Sequence, residues 1–149
     1  MTDLCLAIAH HALVFGLAIM LAVQASLVRE GMGRGEAARV ARLDIGYGAS
    51  AGLIVAVGVL RVIYGAKGYL FYVENVWFWA KMATFALIGL LSVPPTIAFR
   101  KWQAAMKADP AFVPPAGEVK TLRFYLRWEV RLIVVVATFA ATMARYTSF

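Results

Sequence analysis

Apolar residues run almost unbroken through four stretches of this chain, with polar residues gathered between them. The stretches are about Leu4 to Val28, Leu43 to Ile63, Val76 to Phe99, and Leu126 to Arg145. A membrane-spanning helix needs roughly 20 predominantly apolar residues, so each stretch is read as a span. The connections are "GMGRGEAAR", "YGAKGYLFYVE" and "KWQAAMKADPAFVPPAGEVK". The last is long and Pro-rich and reads as irregular or surface-lying, with an interfacial helix from Glu118 leading into the fourth span. The expectation is an all-α integral membrane protein forming one domain over residues 1–149. Its fold class is a four-helix, up-down-up-down transmembrane bundle. In the first span "VQA" resembles a signal-peptide cleavage site. No basic residue precedes the run, and the run is too long for a signal h-region, so it is read as a retained helix.

Composition agrees with lipid as the solvent. Hydrophobic residues make up 62% of the chain and the mean hydropathy is +0.75. Soluble domains carry roughly 45–50% apolar residues. The net charge of +7 gains meaning only once it is placed along the chain. Arg29, Arg34, Arg39 and Arg42 flank or fill the first connection. Arg100, Lys101, Lys107, Lys120 and Arg123 occupy the third, with Arg127 and Arg131 adjoining. The second holds only Lys67, with Arg61 nearby. The positive-inside rule puts the first and third connections in the cytoplasm and both termini outside, N-out/C-out. The excess charge is then accounted for by topology and anionic lipid, and no nucleic-acid recognition motif accompanies it. The single cysteine, Cys5, excludes an intrachain disulfide and any site built on several cysteines.

Aromatics fit the same frame. Tyr64, Tyr69, Phe71, Tyr72, Trp77 and Trp79 suggest an outer belt, and Trp102, Phe124, Tyr125 and Trp128 an inner one. Gly48 and Gly52 stand four apart, spacing that lets another backbone approach closely or leaves room for a flat cofactor. Pro94 and Pro95 remove two backbone donors and are expected to kink or end the third helix.

Ionisable residues at membrane depth are the candidates for function. His10 and His11 lie about six residues into the first span, roughly 9–10 Å deep at 1.5 Å per residue. Lys81 sits about four residues into the third span, and Arg61 two or three residues from the end of the second. Antiparallel neighbours bring all of these to similar depth near one face. A bundle-facing histidine can ligate haem iron, arginine or lysine can neutralise the propionates, and a neutral lysine amine can serve as a second ligand. Adjacent helical residues point about 100° apart, so His10 and His11 cannot both face one site. His10 shares a stripe with Leu6, Leu13, Val14 and Leu17 and is the favoured ligand, with His11 as the alternative. Arg61 and Lys67 are the candidates for the propionates. The competing reading has Lys81 snorkelling to the headgroups and the histidines making polar contacts between helices.

Near the other face, Asp44 and Tyr47 open the second span, and Glu129 and Arg131 the fourth. These suggest ion pairs, Asp44 with Arg131 or Arg100 and Glu129 with a neighbouring arginine. Residues 49–60 and 132–144 contain no acid, base or histidine. The lack of a charged chain across the midplane argues against a proton-driven transporter. Gln24, Ser50, Ser92, Thr96, Thr138 and Thr142 suit interhelical hydrogen bonds. No nucleophile–base pair, phosphate loop or helical H-E-x-x-H stands out.

The segments "RLDIGYG", "GVLRVIYGAKGYLFYVENVWFWAKM" and "IGLLSVPPTIAFRKW" resemble a family of small bacterial inner-membrane proteins, domain of unknown function 2214, over nearly the whole chain. The plan is also similar, more distantly, to the HemJ-type four-helix membrane protoporphyrinogen oxidases. "AHHALVF" and "WFWAKM" stand where that family has its first-span histidine and its tryptophan-rich segment ending in lysine. The second resemblance implies a haem ligand at His10 or His11 and a required lysine at Lys81. The expected function is therefore an inner-membrane protein that binds b-type haem near the periplasmic leaflet, with a redox or porphyrin-related role and a quinone or partner chain as electron partner. The alternative is a non-catalytic accessory or scaffold subunit of a larger membrane complex. A homo-oligomer is compatible with either.

Overall fold

The computed structural model describes residues 2–146; Met1 and residues 147–149 of the expected single domain lie outside the described residues. Every regular element among them is helical: α1 (Thr2–Leu27), α2 (Arg34–Tyr64), the short α3 (Gly68–Val73), α4 (Val76–Ala108) and α5 (Ala116–Arg145). Helices α1, α2 and α4 are long and apolar enough to cross a membrane. In α5 the charged residues Arg127, Glu129 and Arg131 leave an uncharged, mostly apolar run only from Leu132 to Ala144. That run is roughly 20 Å long at 1.5 Å per residue, against a hydrocarbon core of about 30 Å.

Each helix ends where local chemistry allows. After α1 the chain reverses through Gly31, whose φ of 76° costs a residue without Cβ little. The Glu36 carboxylate accepts from the Gly33 N–H (2.8 Å) at the start of α2 and from Arg29 (2.7 Å), which ties the end of α1 to the start of α2. Asn75 caps α4 by accepting from the Trp77 N–H (2.9 Å), and its Nδ2 donates to the Tyr146 carbonyl (3.1 Å) beyond α5. At the opposite end Arg34 donates to the carbonyls of Met106 (2.6 Å) and Asp109 (2.8 Å), satisfying groups that the end of α4 leaves free.

Helix α1 packs on α2 and on α5, and α4 on α2 and on α5. Buried positions follow helical stripes: Leu17, Leu21 and Gln24 on α1; Phe99, Trp102 and Met106 on α4; Val119, Leu122, Leu126 and Glu129 on α5. They concentrate at one end. The other end holds the start of α1, the end of α2, the start of α4 and the end of α5. There no residue of α1 before Leu17, of α2 after Ile54, of α4 before Ile88, or of α5 after Glu129 is buried, among those described.

Two local expectations are corrected and one is narrowed. Of the kink or end expected at Pro94 and Pro95, the end does not occur: α4 continues through both to Ala108. Burial of Pro95, Phe99, Trp102 and Met106 on one stripe holds the helix together across the missing donors. The third connection is accordingly irregular only from 109 to 115. The segment from Glu118 is no separate interfacial helix: it belongs to α5, because its apolar stripe continues into Leu126 and Glu129 without a break. Trp102 does not join an aromatic belt. It is 2% exposed in the core, and its indole donates to the exposed Glu118 of α5 (2.8 Å).

Candidate functional site

Two polar groups lie among the helices, one at each end. The first gathers at the loosely packed end. His10 is half-buried on α1, where its ring meets α2 at Gly58: a Cβ on Gly58 would stand 3.5 Å from His10 Cε1. Gly58 thus leaves the room that lets the imidazole lie against the α2 backbone. His10 Nδ1 is buried and has no hydrogen-bond partner. His11, next in sequence, is turned away and exposed, its Nδ1 2.6 Å from the Ala7 carbonyl oxygen. The 100° step between neighbours separates the two rings as helix geometry requires.

Arg61, one turn beyond Gly58 on α2, and Lys81 on α4 are both half-buried. Their charges act on His10, and Arg61 acts on Lys81, so the three side chains share one electrostatic neighbourhood. Arg61 Nε is buried without a hydrogen-bond partner. Lys81 Nζ lies 5.2 Å from the centre of the Phe78 ring. The ion pairs among the described residues join Arg29 to Glu36 and Arg123 to Glu30, and neither cation of this cluster belongs to one. Two cations and an imidazole therefore converge, and no described carboxylate forms an ion pair with them, although Asp3 stands at the same end, its Oδ1 3.4 Å from a Cβ added at Gly65. Lys67 does not join them. It is exposed, and its Nζ sits 4.2 Å from the centre of the Phe71 ring, next to α3.

The second group fills the tightly packed end. Tyr47 of α2 donates to Glu129 Oε2 of α5 (3.0 Å), and Thr96 of α4 donates to Asp44 Oδ1 of α2 (3.1 Å). Gln24 of α1 approaches Asp44 without reaching hydrogen-bond geometry, and its Nε2 is left unpartnered. Glu129 and Gln24 are each 1% exposed, and Glu129 Oε1 also lacks a partner. All four long helices contribute. The expected ion pairs do not form. Arg131 lies instead 5.0 Å from the centre of the Trp128 ring, since it shares an exposed face of α5 with that indole. Thr96 was legible as a residue suited to an interhelical hydrogen bond, but its pairing with Asp44, and that of Tyr47 with Glu129, was not, because each depends on how the helices pack. The signal that existed was two acids, each at the end of an apolar run, on different helices.

No group of three or more His, Cys, Asp or Glu side chains able to hold a bare metal ion occurs among the described residues. A metal at the first cluster would have to arrive within a larger ligand. No curated protein and no solved structure matches the chain. The family model of a predicted membrane protein (DUF2214) matches residues 2–147. Apolar helices of spanning length, with ionisable side chains confined near their ends, are the architecture such a description requires. The chain belongs to the DUF2214 family of membrane proteins.

Proposed function

We propose that this protein binds b-type haem between α1, α2 and α4 at the loosely packed end, in a redox or porphyrin-related role. The observation that carries this reading is the cluster itself: a buried, unpartnered imidazole nitrogen on His10 beside two cations that form no ion pair with a described residue. Haem presents one metal and two carboxylates, and so answers both needs at once. The packing agrees, since that end buries few side chains of its own. His10 would hold the iron, Arg61 would face a propionate, and Lys81 would stand beside the porphyrin or supply a second ligand. His11 points away from this site, and Lys67 is left to the surface. When bound, haem would supply one-electron chemistry. The chain's own part is to orient the group, neutralise it and keep it in a low-dielectric setting.

The reading includes a single domain with α5 as a fourth span, its charged residues drawn inward or to the interface. It places the chain in a bacterial inner membrane with both termini periplasmic, and a quinone or partner chain as electron partner. A reduced-minus-oxidised visible spectrum of protein purified from haem-replete cells tests it. Haem b bands are expected in the wild type, lost in His10→Ala and shifted or weakened in Arg61→Gln and Lys81→Ala. A pure wild-type protein with no Soret band refutes it.

A second reading, an accessory subunit, has one observation in its favour. A Cβ added at Gly48 or Gly52 meets nothing within 4 Å, so that face of α2 is open to another helix. A stoichiometric partner retained in mild detergent, with no haem, would favour it.

A further inference from the structure

The tightly packed end carries a groove that the haem reading does not use. It lies between α2 and α4, has a volume of about 410 Å³, and opens toward the surface beside Gly48 and Ala49. Its polar end is formed by Asp44, Thr96, Arg100 and Gln103, and its apolar side by Ile45 and Phe99. Asp44 is 8% exposed and anchored by Thr96, whereas Arg100 is exposed. The two charges act on each other yet form no ion pair. Both stand where an apolar run ends, Asp44 beside Leu43 and Arg100 beside Phe99, which is headgroup depth for a spanning helix.

We propose that this groove is a site for one phospholipid with a zwitterionic, primary-ammonium head, the phosphoethanolamine class. A groove whose walls carry separated, unpaired opposite charges is complementary to a ligand carrying the reversed pair. The ammonium donates to Asp44, and the phosphate accepts from Arg100 and Gln103. An acyl chain lies along Ile45, Gly48 and Ala49, where the missing side chain of Gly48 leaves a smooth track: nothing lies within 4 Å of an added Cβ there. A head with net negative charge is disfavoured by Asp44. A quaternary head has no N–H with which to satisfy the carboxylate. The His10 end differs: there Arg61 and Lys81 act on His10, and no described carboxylate pairs with either cation.

The test uses the full chain in nanodiscs made from an equal mixture of phosphatidylethanolamine, phosphatidylcholine and phosphatidylglycerol with matched acyl chains. The protein is released into mild detergent and its retained lipid is identified by native mass spectrometry. Wild type should retain one phosphatidylethanolamine with about tenfold preference, the order of one charge-assisted hydrogen bond. Asp44→Asn should bring phosphatidylethanolamine level with phosphatidylcholine, and Arg100→Gln should lower retention of all three. Gly48→Leu projects a side chain into the groove from a position where an added Cβ meets nothing within 4 Å, and should abolish the bound lipid while the melting temperature stays the same or rises. Equal retention of the three lipids by wild type overturns the proposal. So does an unchanged preference in Asp44→Asn and Gly48→Leu, or a protein partner found in the groove in place of lipid. Haem content plays no part in the readout, so the outcome is independent of the haem reading.

Discussion

Removing one oxygen atom, by Tyr47→Phe, tests how the tightly packed end is held together. Tyr47 is 4% exposed, and its hydroxyl is the hydrogen-bond partner of Glu129, whose other oxygen has none. Phenylalanine keeps the ring, so no cavity opens. The lost interhelical bond alone is worth about 0.6 kcal/mol by the average for membrane bundles. The larger part is what remains: a 1% exposed carboxyl group with no partner, which costs about 1–3 kcal/mol. The expected destabilisation is therefore about 1–3 kcal/mol. Adding Glu129→Leu removes the stranded group and should restore stability to within about 1 kcal/mol of wild type or above it, because an apolar pair replaces a poorly satisfied polar one. The assay is reversible unfolding in mixed micelles, titrating a denaturing detergent and following helix content by circular dichroism. A Tyr47→Phe variant within about 0.3 kcal/mol of wild type would refute the reasoning, since that is the scatter of such comparisons. A double variant less stable than either single one would refute it equally.

Three further outcomes are expected. Gly58→Ala places its Cβ at ordinary contact distance, 3.5 Å from His10, and should keep any haem bands, whereas Gly58→Leu should displace the imidazole and remove them, read from the visible spectrum. Asn75→Ala should cost about 1 kcal/mol through loss of the α4 cap. Asn75→Asp, which keeps an acceptor for the Trp77 N–H, should recover most of that in the same unfolding titration and lose only the tie to Tyr146. Trp102→Ala should destabilise by about 3–5 kcal/mol, because it empties a buried indole site, and a small change in melting temperature would show that the core does not depend on it.

What the chain's order alone determined is what depends on local rules. Apolar runs of spanning length must fold as helices in lipid, since each backbone group needs a partner within its own segment. That rule makes α1, α2 and α4 readable from "LCLAIAHHALVF" onward. Depth was also readable: counting residues from the ends of antiparallel runs brings His10, Arg61 and Lys81 together, and they do share a neighbourhood. Lys67, only a few residues from Arg61, does not, because the turn at Gly65 and Gly68 carries it out to Phe71.

Partnership belonged to the tertiary structure. The stripe of Leu6, Leu13, Val14 and Leu17 pointed to His10 over His11, but only the approach of α2 at Gly58 gives the His10 imidazole its place, while His11 keeps its Nδ1 against the Ala7 carbonyl. Asp44 and Glu129 had arginines within reach in sequence, yet they take hydroxyls from Thr96 and Tyr47, on other helices. Pro94 and Pro95 read as a kink or an end of the helix, and α4 runs on past them with Pro95, Phe99 and Trp102 buried on one stripe. Helix formation and depth follow from hydrogen bonds and lengths within a segment. Which groups meet across neighbouring helices follows from side-chain packing between segments far apart in the chain, and a local apolar stripe carries that information only in part.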